Sequence, residues 1–249
     1  MPAAYDNFDY PSYWEGREYE HESEVLAISS FLKSIEKIGT VVEVGAGFGR
    51  LTPSYEYRAK KLVLTDPSAN LLKQAKTKHH SKKSKFIQTS IENLSKKIRA
   101  NTADLTIFVR VLHHIKDPKK AIKTLSKITR PKGYIILEFA NKAHFKANIR
   151  EALKGDFTYL LDIFPKEVGG KQSKKKTIPF FNFHPDKIEE YLKDEGFTIL
   201  ERRSVSNVRS TFLKKRLPLA LLLSLEKIFQ KPLASLNFGP SIFLLAKKR

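Results

Sequence analysis

The chain has 249 residues, a formal net charge of +20 and no cysteine. That length suffices to bury a good core as one domain, and the lack of cysteine excludes disulfides, thiolate nucleophiles and cysteine-held metals. No basic region leading into an apolar core opens the chain, and the longest apolar stretch, 217–225, is too short to span a bilayer, so a cytoplasmic protein is expected.

The charge is uneven. Residues 1–30 hold seven acids against Arg17 alone, so the remainder carries +26. Lysine outnumbers arginine 34 to 12, whereas planar recognition of phosphate and bases favours arginine. The lysines are spread, with clusters at 73–85, 171–176 and 214–216. Compositional bias and solvated helix faces account for most of this charge; RNA or an anionic membrane surface takes the rest.

In chain order, an acidic arm holds Tyr5, Phe8, Tyr10, Tyr13, Trp14 and Tyr19 around Arg17, and leads into an amphipathic helix over 18–35. Val25, Leu26, Ile28, Phe31 and Leu32 form its buried stripe. A β-branched run then meets alternating glycines in Val41-Val42-Glu43-Val44-Gly45-Ala46-Gly47-Phe48-Gly49. Glycines there allow a tight turn and close approach of backbone to a ligand. The dinucleotide fingerprint would place its third glycine one residue later, where Arg50 stands. A second strand, 61–66, ends in Asp66-Pro67-Ser68, about 20 residues after the glycines, where an acid accepts ribose hydroxyls in dinucleotide folds. The other reading of Asp66 and Ser68 is a turn that caps the helix 69–78.

Phe86 to Leu94 reads as a third strand with a polar turn at Ser90-Ile91, and Asp104 to Ile115, which holds Arg110, Val111, His113 and His114, as a fourth, buried strand running into a loop. A helix over 118–128, a Pro131-Lys132-Gly133 turn and a fifth strand to Phe139 follow. Next come an insertion over 141–185 ending in an aromatic string with Phe180 to His184, a helix 186–195 and a strand 197–200. One helix over 211–230, apolar nearly all round, and a last buried strand, 241–246, complete the chain. Strands alternating with helices, and apolar runs without alternation, predict a mostly parallel sheet covered on both faces. Ligands of such sheets bind at the strands' carboxyl ends, where Gly45, Asp66, Ser90 and Arg110 converge.

The glycine motif with its preceding acid, the Val111-Leu112-His113-His114 segment and the Pro-Gly turn before the fifth strand resemble class I S-adenosylmethionine (SAM)-dependent methyltransferases, of the small-molecule, methyltransferase-11-like type. The resemblance is strong over 39–140. It implies an α/β, Rossmann-like, seven-stranded mostly parallel sheet with helices on both faces, the last strand antiparallel, plus an N-terminal arm and inserted helical or lid segments. A single domain is expected: arm and first helix 1–38, cofactor core 39–140, substrate-side insertion 141–185 and C-terminal part 186–249. The motifs assign the cofactor, SAM, to Glu43, Gly45, Ala46, Gly47, Gly49, Asp66, Pro67, Ser90, Ile91, Arg110 and Val111. In the family an acid often stands where Ser90 does. Tyr13 and Arg17 are expected to close over SAM, with Arg17 on its carboxylate.

Methyl transfer from a sulfonium needs a base only when the nucleophile carries a proton, and His113, His114 and His184 are the candidates. No metal is expected, since neighbours on a strand point oppositely and no ligand spacing accompanies the doubled histidine. The reading favoured is methyl transfer to a small or lipid-like acceptor. The alternatives are a tRNA or rRNA methyltransferase, though no amino-methylating N-P-P-[YF] tetrapeptide follows the fourth strand, and a non-catalytic SAM- or nucleotide-binding module. Segment 211–230 would meet the core, a second copy or a membrane surface.

Overall fold

The computed structural model describes residues 9–159, 161–168 and 180–249. Tyr5, Phe8, the lysine cluster 171–176 and the first residues of the aromatic string, 178–179, lie outside them. The chain opens with α1 (Glu18–Lys33), β1 (Thr40–Val44), β2 (Lys61–Asp66), α2 (Ala69–His79) and β3 (Ser84–Gln88). Then come α3 (Leu94–Lys97), β4 (Ala103–Phe108), α4 (Pro118–Ile128), β5 (Thr129–Ala140) and α5 (Phe145–Ala152). A short hairpin follows, β6 (Lys166–Val168) and β7 (Phe180–Asn182), then α6 (Pro185–Asp194) and β8 (Phe197–Val205). The chain ends with α7 (Thr211–Arg216), α8 (Leu219–Ser235) and β9 (Ser241–Lys248).

Seven strands form one sheet in the order β3-β2-β1-β4-β5-β9-β8, and β9 alone runs antiparallel to both its neighbours. The chain reverses its direction of strand addition between β1 and β4, which opens a crevice at their carboxyl ends. Inner strands buried on both faces explain their unbroken apolar runs. One face packs Ile28, Phe31 and Leu32 of α1 against Leu62, Leu64, Phe243 and Leu245. The other packs Ile122 and Leu125 of α4 and Ile188 and Leu192 of α6 against Val42, Ile135 and Leu244.

The caps are local and legible. Ser68 Oγ accepts the Leu71 N–H at 3.2 Å to start α2, and Asp117 Oδ1 accepts the Lys120 N–H at 3.0 Å to start α4. Three expectations are corrected. The fourth strand ends at Phe108, and Arg110 turns the chain at φ 62° into a 3₁₀ turn over Leu112–His114. Segment 211–230 is two helices, broken at Leu217-Pro218, because proline offers no N–H to continue α7. Only one stripe of α8, Leu222, Glu226, Gln230 and Ala234, is buried, against α1 and β8, while Leu221, Ile228 and Phe229 stay exposed. The last strand of the C-terminal part before these helices runs on to Val205 instead of ending at Leu200. No described helix is long and apolar enough to cross a membrane.

Candidate functional site

The glycine loop leaves β1 with Gly45 at φ 79° and Gly47 at φ 55°, left-handed conformations that glycine adopts without a Cβ penalty. Gly45 and Ala46 N–H donate to Thr65 O at 2.8 and 2.9 Å, tying the loop to the end of β2. Asp66 Oδ2 accepts the Gly47 N–H at 2.8 Å and Oδ1 the Ser68 N–H at 2.8 Å, so the carboxylate is fixed at the lip of the crevice. A cavity of about 330 Å³ lies here. Glu43, Gly45, Ala46, Gly47, Asp66 and Pro67 line it from β1 and β2. Ser90 and Ile91 come from the turn after β3, and Arg110 and Val111 from the turn after β4. Gly49 does not line it; a Cβ there would meet the His79 ring at 2.5 Å, so its role is to let α2 approach the loop.

Glu43 is buried, and its Oε2 accepts hydrogen bonds from the Tyr55 hydroxyl and from Thr52 Oγ1 at 3.1 Å. Burial pushes its carboxyl up to about 7, against the pull of those two hydroxyls. One aromatic of the arm reaches the cavity, and one feature of the first helix went unread in the sequence. Tyr10 lines the cavity, its ring 3.8 Å from where a Gly47 Cβ would stand and edge-on to Phe48. Glu24, wholly buried in α1, joins two arginines: its Oε2 accepts from Arg50 at 2.5 Å and its Oε1 from Arg110 Nε at 2.6 Å. Burial alone would raise the Glu24 carboxyl, but the two guanidiniums outweigh it and hold it below the usual range. The Trp14 ring stacks on Arg50 at 3.4 Å and reaches Arg110 at 5.4 Å. Arg50, at the displaced third-glycine position, is thus a structural link to α1. Only the spacing of Glu24 on the inward stripe of α1 hinted at its burial.

Arg110 also lines a second cavity, of about 400 Å³, on the β5 side of the crevice. Tyr13 and Arg17, expected over the cofactor, line this second cavity and not the first. Arg17 folds onto the Tyr13 ring at 4.1 Å, while Trp14 packs on Arg50 and Arg110 at the first cavity's wall. Glu138 of β5 lies at the same wall, accepting the Arg110 N–H at 2.8 Å and the Ser241 hydroxyl at 2.5 Å; burial raises its carboxyl despite Arg110.

The three histidines separate. His114 lines the first cavity. His113 is buried between His114 and Phe180, ring centroids 4.1 and 4.5 Å away, and burial, then His114 and Arg110, hold it well below the usual histidine range. The two rings are adjacent because they sit on a 3₁₀ turn and not on a strand, so the expected opposite orientation is corrected. Among the described residues no three His, Cys, Asp or Glu gather into one group. His184 precedes α6 and lines neither cavity.

Comparison with known proteins agrees with this geometry. The family described as "Methyltransferase domain" matches residues 42–137, the stretch that carries the glycine loop, Asp66 and Arg110. Residues 42–137 thus resemble a methyltransferase domain. The whole chain has the fold of such enzymes: it superposes on a SAM-dependent methyltransferase of Thermotoga maritima with a TM-score of 0.63, at 16% identity and 98% coverage of both chains. Among curated proteins, it is 27% identical over 170 residues to the tRNA 5-carboxymethoxyuridine methyltransferase of Escherichia coli K12, covering 66% of this chain and 62% of that protein. It is also 29% identical over 131 residues to the mitochondrial ubiquinone biosynthesis O-methyltransferase of Dictyostelium discoideum, covering 48% of this chain and 40% of that one. The chain therefore spans less than two thirds of the length of these relatives. The first cavity has the size of a cofactor site and a glycine-floored, carboxylate-edged wall.

Proposed function

We propose that the protein transfers a methyl group from SAM, held in the first cavity, to a small acceptor that enters the second. The observation that carries this reading is Arg110, which lines both cavities and is clamped by Glu24 and Glu138, so the two ligands would meet at one fixed wall. Bound SAM supplies an electrophilic methyl on a sulfonium sulfur. The chain supplies position: Asp66 accepts from the ribose, the glycine loop admits the ligand close to backbone, and the Glu24–Arg110–Glu138 clamp sets the geometry of approach. Of the three candidate histidines none lines the second cavity, so for an acceptor that must lose a proton the group at hand is Glu138, whose raised proton affinity suits a base. A cytoplasmic setting goes with this reading.

Calorimetry with S-adenosylhomocysteine tests it. Asp66→Ala should weaken binding tenfold or more, since a hydrogen bond to a charged group is worth about 1.5–3 kcal/mol. Undiminished affinity in the variant would remove the cofactor assignment.

A tRNA acceptor is the second reading, favoured by the Escherichia coli relative and by the +20 charge. It requires RNA affinity that falls steeply with salt, through release of condensed counterions; retention of RNA near physiological ionic strength would displace the small-acceptor reading.

A further inference from the structure

The second cavity carries more positive charge than its own carboxylates answer. Four cations stand at its wall, Arg17, Arg110, Arg209 and Lys214, against Glu20 and Glu138. Two of the four are already engaged: Arg110 with Glu24, and Lys214 with Glu20 at 2.5 Å. Arg17 and Arg209 have no carboxylate partner among the described residues; Arg17 rests on the Tyr13 ring, and Arg209 is exposed on the loop after β8.

A second observation at the same wall points to a ligand. Ser206 is 5% exposed, sits at φ 61°, and its hydroxyl is buried with no hydrogen-bond partner. Leaving a buried hydroxyl unpaired is unfavourable, and a left-handed non-glycine residue adds strain, a combination that collects at ligand sites. His144 adds a neutral donor: its Nδ1 accepts the Ala147 N–H at 3.1 Å, so the neutral ring carries its proton on Nε2. Burial first, then Arg209, Arg150 and Lys146, depress His144 to about 4, so it stays neutral near pH 7 in a positive field.

The donors are held in place from behind. Glu226 of α8, buried, accepts the backbone N–H groups of Ser206 and Asn207 at 2.8 and 3.1 Å and the Tyr19 hydroxyl at 2.5 Å. The loop that bears Arg209 is therefore anchored to both α8 and α1, and the helix that follows Arg17 shares that anchor.

We propose that the second cavity selects an acceptor bearing a carboxylate or phosphate group, bound between Arg17 and Arg209 with the Ser206 hydroxyl as a neutral donor. This rests on the reading of the second cavity as the acceptor site. Paired guanidiniums recognise either oxyanion through forked N–H donors, and a small ligand with the anion at one end is fixed by it while its other end faces Arg110 and the cofactor cavity.

The test uses the full chain saturated with S-adenosylhomocysteine, whose binding is measured first; failure at that step counts against the cofactor reading and not against the anion site. Phenyl phosphate, benzoate, benzamide and benzylamine are then titrated by calorimetry into wild type, Arg17→Gln, Arg209→Gln, the double variant, and Lys215→Gln as an exposed control outside the cavity. We expect phenyl phosphate or benzoate to bind at least tenfold more tightly than benzamide and benzylamine, and the stronger of the two anions identifies the oxyanion preferred. The double variant should lose that preference while keeping its S-adenosylhomocysteine affinity, and Lys215→Gln should keep both. Equal binding of charged and neutral probes by wild type, or an anion preference that survives the double substitution, overturns the proposal. So does a result in which a tRNA, and neither small anion, is the species whose binding the double variant loses.

Discussion

Substituting Ala at Gly45 places a methyl group where the fold has no room, and the structure says what it strikes. A Cβ built on Gly45 would stand 2.2 Å from Val111 Cγ2 and 3.4 Å from Val111 Cβ. The backbone there is left-handed, φ 79°, which costs an L-residue about 1–2 kcal/mol. Forcing a methyl against a β-branched side chain with one preferred rotamer adds about 1–3 kcal/mol of overpacking. Gly45→Ala should therefore destabilise by about 2–5 kcal/mol in urea unfolding. Val111→Ala removes Cγ2 and leaves only the ordinary 3.4 Å contact, so in that background the same change should cost only the backbone part, about 1–2 kcal/mol. The four proteins form a double-mutant cycle whose coupling, about 1–3 kcal/mol, reports the contact itself. Both residues line the first cavity, so S-adenosylhomocysteine affinity measured on the same samples should fall with Gly45→Ala. An equal cost of Gly45→Ala in the two backgrounds would refute the claim that the loop is built against the turn after β4.

Glu24→Gln should cost about 3 kcal/mol, the low end for breaking a buried ion pair, because the Arg110 side chain is 25% exposed and recovers some hydration. The Glu24 carboxyl is held below its usual range, so its stabilisation is present above 4.5 and fades as pH falls through the lowered value. The variant should lack that part of the acid limb, and a wild-type and variant gap that persists unchanged at low pH would argue against the pairing. Glu43 has the opposite sign. Its carboxyl is raised from 4.5 to about 7, so the folded state holds a proton that the unfolded state has released, and stability falls across that window as pH rises. The loss is about 3 kcal/mol between pH 4.5 and 7, and Glu43→Gln should flatten the profile of urea midpoint against pH there. A pH-independent difference between wild type and variant would contradict the raised value.

The cofactor side of the site was legible because its chemistry is local. Apolar runs without alternation mark strands covered on both faces, and the glycines at 45 and 47 mark turns whose φ is positive wherever the chain lies. Asp66 ends its strand, so the parallel order of β1 and β2 is enough to bring its carboxylate to the Gly47 N–H. The doubled histidine was misread because the pattern 104–115 does not record where extended backbone stops. Arg110 leaves the strand at φ 62°, an uncommon conformation held by the Glu24 and Glu138 contacts and not by its own propensity.

What only the tertiary structure decided is which charges meet. Glu24 looks like one acid among seven in the first thirty residues, yet it is buried between arginines 26 and 86 positions away. The second cavity likewise gathers Arg17 from before α1, Glu138 from β5 and Arg209 from the loop after β8, and only β9 lies between β5 and β8 in the sheet. Backbone turns and apolar periodicity are set by neighbours a few residues apart and can be read along the chain. Desolvation and Coulomb pairing depend on distance in space, and that distance exists only once the sheet is assembled.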